Sequence, residues 1–314
     1  MRIGIVGAGA IGGFIAAALA QAGVQVSVIA RGAHLAAVQR DGLRVESDLG
    51  TLQVRVDASD DLRDAGPLDA LLLTFKAHQW PAFIPQLTPF AGSDVTIATL
   101  QNGLPFWFVR QPPLRSVDPD GRIAALFPDE QIVGGVVHVS GHVVRPGVIR
   151  QSGGMRYPLG VLTQAAAPRV ERLAAAMRSA GLAPEIDADI RATTWLKLVN
   201  NAGLNSVSAL HRMTLRAMLD DARARAEVRG IMEEALEIGQ ALGVVGAVDV
   251  EARLDYAARL SDVKTSMLQD LEAHRPLELD PILGSLVELA ERTRIDAPRL
   301  RDAYDRLRAI ERSW

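Results

Sequence analysis

Lys197, Asn201 and Asn205 recur every four residues within the segment WLKLVNNAGLN, residues 195–205. On a helix that spacing stacks one amine and two amides on a single face. Trp195, Leu198, Val199 and Leu204 are interleaved with them, so much of such a helix must be buried. Asparagine is a poor helix former, and a buried polar stripe needs partners. Two readings meet that need. One is an amide network tying helices together. The other is a polar wall around a reacting carbonyl, where the lysine stabilises a developing alkoxide and gives it a proton. Desolvation would bring the lysine pKa toward neutrality and suit it to that task.

A carbonyl reduced in this way needs a hydride donor, and the N-terminus supplies a place for one. A short apolar run, Ile3 to Val6, leads into Gly7, Gly9 and Gly12, then an apolar helical stretch, then the β-branched run Val24 to Ile29. Strand, glycine turn, helix and strand make the dinucleotide-binding βαβ unit. Gly7 allows the tight turn, Gly9 lets the backbone approach a pyrophosphate, and Gly12 lets the helix pack on the strand. Gly7, Ala8, Gly9, Ala10, Ile11 and Gly12 are therefore the expected phosphate-binding turn, with the phosphates at the helix N-terminus. A secretory signal peptide fits less well, because the glycines cluster where a turn needs them and a second strand follows directly. Arg31 closes that strand, where NAD-binding chains usually carry Asp or Glu. A guanidinium pairs with a 2′-phosphate, so Arg31 points to NADP(H).

The remaining elements must position these residues. Buried-strand runs lie at Ala70–Thr74 and Val95–Leu100, each followed by polar residues: Lys76 after the first, Gln101-Asn102-Gly103 after the second. Ligands bind beyond such strand ends. Lys76 is placed to meet a cofactor phosphate, and Asn102 to bond ribose, nicotinamide or substrate. Ordinary loop chemistry is the alternative for each. Ile132–Val139 and Val143–Ile149 read as strands joined by a Ser140-Gly141 turn. His138 and His142 have no carboxylate neighbour, and no metal site is expected. From about Ile190 helical periodicity takes over, and Asp280-Pro281 reads as an N-cap followed by a first-turn proline. The expected fold is α/β: a Rossmann-type dinucleotide-binding domain over residues 1–188, then an all-helical substrate and catalytic domain over 189–314. A cleft between domains is the default site.

Composition sets bounds. The chain has 314 residues, a net charge of −3 and no cysteine. General nucleic-acid binding is not indicated, thiol catalysis is excluded, and a reducing cytoplasm fits. No membrane segment is expected. The Ala- and Leu-rich C-terminal helices are suited to packing on one another or to a homodimer interface.

Over essentially its whole length the sequence resembles the ketopantoate reductase (2-dehydropantoate 2-reductase) family. The resemblance is carried by GAGAIGG, Arg31, TFKAHQ, QNG, WLKLVNNAGLN, TSMLQD and RPLELDPILG. It implies NADPH-dependent reduction of ketopantoate to pantoate, on the route to pantothenate and coenzyme A. It implies Lys197 as general acid, Asn201 and Asn205 as substrate-binding residues with Asn102, and Ser266 at the substrate carboxylate. It implies Glu278 near the cofactor ribose and the catalytic lysine. Arg31, Lys76, Asn102 and Ser140 match cofactor positions. On residue type alone, Ser266 and Glu278 would be ordinary surface and helix-terminal residues.

Two departures from the family pattern bear on the substrate. Val263 stands three residues before Ser266, where well-studied members carry an asparagine that helps hold the substrate. Residues 106–131 form a long excursion after Asn102, expected either to cover the site and tune substrate choice or to be a solvated surface insertion. Two rival functions stay open at this point: a paralogous NADP(H)-dependent reductase of another 2-keto acid, and a non-catalytic NADP(H) sensor of the same fold.

Overall fold

Short continuous apolar runs suit strands buried on both faces of a parallel sheet, and the first half of the chain builds one here. The computed structural model describes residues 1–259 and 262–314. Its strands are β1 (Arg2–Val6), β2 (Gln25–Ile29), β3 (Leu43–Ser47), β4 (Gly50–Val54), β5 (Asp57–Ser59) and β6 (Ala70–Leu73). They continue with β7 (Thr96–Thr99), β8 (Ile132–Gly135), β9 (His138–Arg145), β10 (Val148–Val161) and β11 (Ala183–Ile186). Within the sheet, β5-β2-β1-β6-β7-β8 are parallel neighbours in that order. This is the doubly wound dinucleotide-binding order, with its switch point beside β1. Val6 pairs with both Ile29 and Leu73, so β1, β2 and β6 end together on one edge. β10 extends the sheet antiparallel to β8 and carries β3, β9 and β11.

The chain divides into two units. One contains Met1–Gln101 and Arg122–Ile190, with the sheet; the other contains Asn102–Gly121 and Arg191–Trp314, and is helical. The core of the first is built on Ile3, Ile5, Phe14, Ile15, Leu72 and Tyr157, all fully buried.

Three expectations need correction. Ser140-Gly141 is not a turn: β9 runs straight through it, and the chain reverses at Pro146-Gly147, where Gly147 takes φ +77°. Proline followed by a left-handed glycine is a stronger turn pair than Ser-Gly. Asp280 is not an N-cap either. The helical turns begin at residue 279, and the Asp280 carboxylate instead accepts from the Tyr304 hydroxyl at 2.7 Å and binds Arg308. The 106–131 stretch is not simply a solvated insertion: it is anchored at several points, with exposed residues such as Gln111, Pro112 and Asp120 between them. Phe106, Trp107, Phe108, Leu114 and Phe127 are buried, and the Glu288 carboxylate takes the backbone N–H groups of Arg115 and Ser116 at 3.0 Å each. Arg292 donates to the carbonyls of Pro112 and Pro113 at 2.7 Å. The aromatic run at 106–108 is core material, which explains why the stretch packs. In the helical unit a short helix, Ser266–Glu272, is capped by Thr265.

Candidate functional site

The glycine turn is built as its spacing requires. Gly7 has φ +101°, and a Cβ there would lie 2.7 Å from the Phe75 nitrogen. A Cβ on Gly12 would lie 2.2 Å from the Gly7 carbonyl oxygen and 2.3 Å from Thr74 Oγ1. Thr74 Oγ1 donates to the carbonyl oxygens of Val6 and Gly7, at 3.1 and 2.8 Å, and holds the turn shut from the β6 side. A Cβ on Gly9, by contrast, would meet nothing within 4 Å. Helix Ala10–Gln21 begins there with no side-chain cap, so its first-turn N–H groups are left for a ligand. Open space before an uncapped helix N-terminus fits the pyrophosphate of a dinucleotide. Thr74 is the member of this turn that the sequence did not single out.

Arg31 follows β2 and starts helix Gly32–Asp41, with its guanidinium 4.5 Å from the Phe83 ring centroid. The aromatic face holds the charge without neutralising it. Lys76 lies half-buried after β6, ahead of the turn Ala77–Gln79. Ser140 is exposed on β9, opposite Gly153 of β10.

In the helical unit, three of the expected residues meet. Lys197 Nζ donates to Asn102 Oδ1 at 2.9 Å, and Asn102 Nδ2 donates to Glu278 Oε2 at 3.3 Å. Burial brings the Lys197 amine down to about 8, and the negative charge of Glu278 partly opposes that fall. The lysine is thus a cation at neutral pH that gives up its proton readily. Glu278 lies just ahead of the helical turns that begin at residue 279, where a carboxylate suits the helix N-terminus.

The lysine helix changes form below the amine. Residues Ile190–Asn200 are α-helical, Asn201–Asn205 form a π turn, and Ser206–His211 resume the α-helix. Such turns recur at functional sites. Gly203 sits at its tightest point, where a Cβ would lie 2.7 Å from Met232 Cγ and 3.1 Å from the Val228 carbonyl oxygen. Behind it Trp195 is fully buried against Gly239, donates from Nε1 to the Ala235 carbonyl at 3.1 Å, and packs on Phe108. Asn201 and Asn205 are half-buried, and neither side-chain amide has a hydrogen-bond partner among the described residues. That disfavours the amide-network reading for these two residues.

A second π turn, Asp280–Gly284, packs against the first. It fixes Asn102: the Leu104 N–H donates to the Pro281 carbonyl at 2.7 Å, and Gly103, at φ +81°, lies where a Cβ would be 2.6 Å from Pro281. Asn-Gly here is therefore a close approach and not merely a turn. Helix Ser266–Glu272 packs on the Asn201–Asn205 turn, and Ser266 itself is exposed on its first turn. The Val263 side chain is exposed, and its carbonyl accepts from the Leu215 N–H at 2.9 Å.

The chain matches two family models. "Ketopantoate reductase PanE/ApbA" covers residues 3–164, and "Ketopantoate reductase PanE/ApbA C terminal" covers residues 189–311. A curated 2-dehydropantoate 2-reductase of Mesorhizobium japonicum is 39% identical over 297 residues, spanning 92% of this chain and 91% of that protein. A protein of Ralstonia solanacearum MolK2 described as a candidate ketopantoate reductase superposes with a TM-score of 0.92 at 36% identity, covering 99% of this chain and 98% of that one. The 2-dehydropantoate 2-reductase of Geobacter metallireducens GS-15 gives a TM-score of 0.88 at 29% identity, over 98% and 99% of the two chains.

Proposed function

The chain belongs to the ketopantoate reductase family, and from that premise we propose that it reduces ketopantoate to pantoate with NADPH, using Lys197 as the proton donor. The hydrogen-bonded trio Lys197, Asn102 and Glu278 carries this reading. When bound, the nicotinamide supplies a hydride to the keto carbon. The proton that balances the product hydroxyl leaves Lys197 Nζ for the keto oxygen. Asn102 keeps the amine aimed through its Oδ1, and Glu278 keeps it charged enough to donate. Asn201 and Asn205 orient the substrate with their unpartnered amides, and Ser266 adds a hydroxyl for its carboxylate. A sensor would need no such donor, so the trio favours an enzyme over the non-catalytic alternative.

The turn residues Gly7 to Gly12 take the pyrophosphate, and Lys76 and Ser140 serve the cofactor at the edge of its site. Arg31 takes the 2′-phosphate, which makes NADPH the preferred donor. Arg31→Ala is expected to lower kcat/KM for NADPH about 10- to 100-fold, the cost of a charge-assisted bidentate pair. The NADH value should stay close to its starting point. Initial rates with both cofactors check this, and equal losses with the two would remove Arg31 from the phosphate site.

The test of the function itself is NADPH oxidation with ketopantoate, run beside other 2-keto acids and with NADH in parallel. The proposal expects ketopantoate to give the highest kcat/KM. Turnover only with another acid would support the paralogue, and NADPH binding without turnover on any acid would support the sensor.

A further inference from the structure

Building on the keto acid reading above, we propose that Arg253 is a substrate-carboxylate anchor: its half-buried guanidinium is bonded to Asn200, at the end of the helix that carries Lys197, and has no acid of its own. Arg253 lies in helix Val250–Ala258. Its Nη1 donates to Asn200 Oδ1 at 3.3 Å, a long bond to a neutral group. Among the described residues no carboxylate comes within ion-pair distance of it. The acids nearest it in the chain are committed elsewhere. Asp249 caps the helix by accepting from the Ala252 N–H at 3.0 Å. Glu251 binds Arg225 at 2.9 Å and also Arg229, and Asp255 binds Arg225 at 2.7 Å.

A guanidinium offers five N–H donors in a planar fork, and here one is used. Withdrawing such a cation from water without a counter-charge is unfavourable. Burial lowers the Arg253 pKa, whereas the carboxylate-paired Arg225 is raised. An anionic ligand relieves that cost. Asn200 is adjacent to Asn201 and three residues from Lys197, so its partner guanidinium stands beside the face that holds the keto acid. Asn201 and Asn205 supply neutral donors, and Lys197 serves the keto oxygen. Arg253 supplies the charge that a 2-keto acid carboxylate calls for, and a carboxylate accepts an arginine fork through two parallel hydrogen bonds.

The test is steady-state kinetics of the full chain with NADPH, using ketopantoate and its lactone, which keeps the keto carbon but lacks the carboxylate charge. Arg253→Gln should raise KM for ketopantoate about 10- to 100-fold, as expected for loss of charged hydrogen bonds. The kcat and the NADPH Kd should be retained, and the preference for acid over lactone should collapse. Arg253→Lys should recover part of that preference. If ketopantoate is reduced by the unmodified enzyme, yet Arg253→Gln leaves both KM and the acid-to-lactone ratio unchanged, the anchor is wrong while the function stands. If the unmodified enzyme reduces no 2-keto acid, the functional reading fails and the anchor falls with it.

Discussion

Lys197→Ala lowers kcat for ketopantoate reduction about 10²- to 10⁴-fold, the usual contribution of a positioned general acid, and leaves NADPH affinity unchanged. The loss is expected toward the upper end of that range because none of the described residues hydrogen-bonded in the trio replaces the amine. Asn102, Asn201 and Asn205 are amides with no proton to give. Glu278 reaches the lysine through Asn102 and would have to be protonated before it could donate. Lys197→Arg restores the charge but not the acid, since a guanidinium does not release its proton in this range. It should recover little of the rate. Stopped-flow NADPH oxidation gives the chemical step, and a fluorescence titration of NADPH gives affinity in the same variants. A Lys197→Ala rate within tenfold of the starting value would mean that another group is the acid.

Gly12→Ala is expected to cost both stability and cofactor. The new Cβ would lie 2.2 Å from one backbone oxygen and 2.3 Å from Thr74 Oγ1. Helix Ala10–Gln21 must then move away from β1, at an overpacking cost of about 1–3 kcal/mol. Gly9→Ala provides the contrast, because its Cβ enters open space. That variant should keep its Tm and still lose NADPH affinity, since the methyl occupies the room the pyrophosphate needs. Thermal melts with and without NADPH separate the two effects. Equal NADPH affinity in Gly9→Ala would show that the phosphates lie elsewhere.

The contrast between these glycines explains how much the sequence disclosed. Gly7, Gly9 and Gly12 were readable because each acts within one local turn whose spacing is set by backbone geometry. Lys197, Asn201 and Asn205 were readable for the same reason, as a helical repeat. The π form of residues 201–205 was not, because an i to i+5 hydrogen-bond pattern leaves no periodic residue signature. Glu278 reaches Asn102 across 176 residues, and no local pattern announces such a bond; only family resemblance raised it. Gly103 offered either a close approach or half of a common turn pair, and the choice rests on Pro281, which comes from a distant helix. The 106–131 stretch invited a lid because it lacked regular elements. Its buried run Phe106-Trp107-Phe108 packs beside Trp195, two residues from Lys197, a tertiary anchor with no local sequence signature. Arg253 carried no sequence signal at all, since its interest lies in what fails to surround it.

Lys197, held near a pKa of about 8 by burial on one side and Glu278 on the other, is the centre of this account. The most direct measurement is kcat/KM for ketopantoate against pH with NADPH saturating, for the unmodified enzyme and Glu278→Gln. The lysine acts in its protonated form. The rate should be full below its pKa and fall about tenfold per pH unit above it. Removing the Glu278 charge should move that falling limb to lower pH. A profile that stays flat well above pH 8, or a limb that Glu278→Gln does not move, would contradict the account.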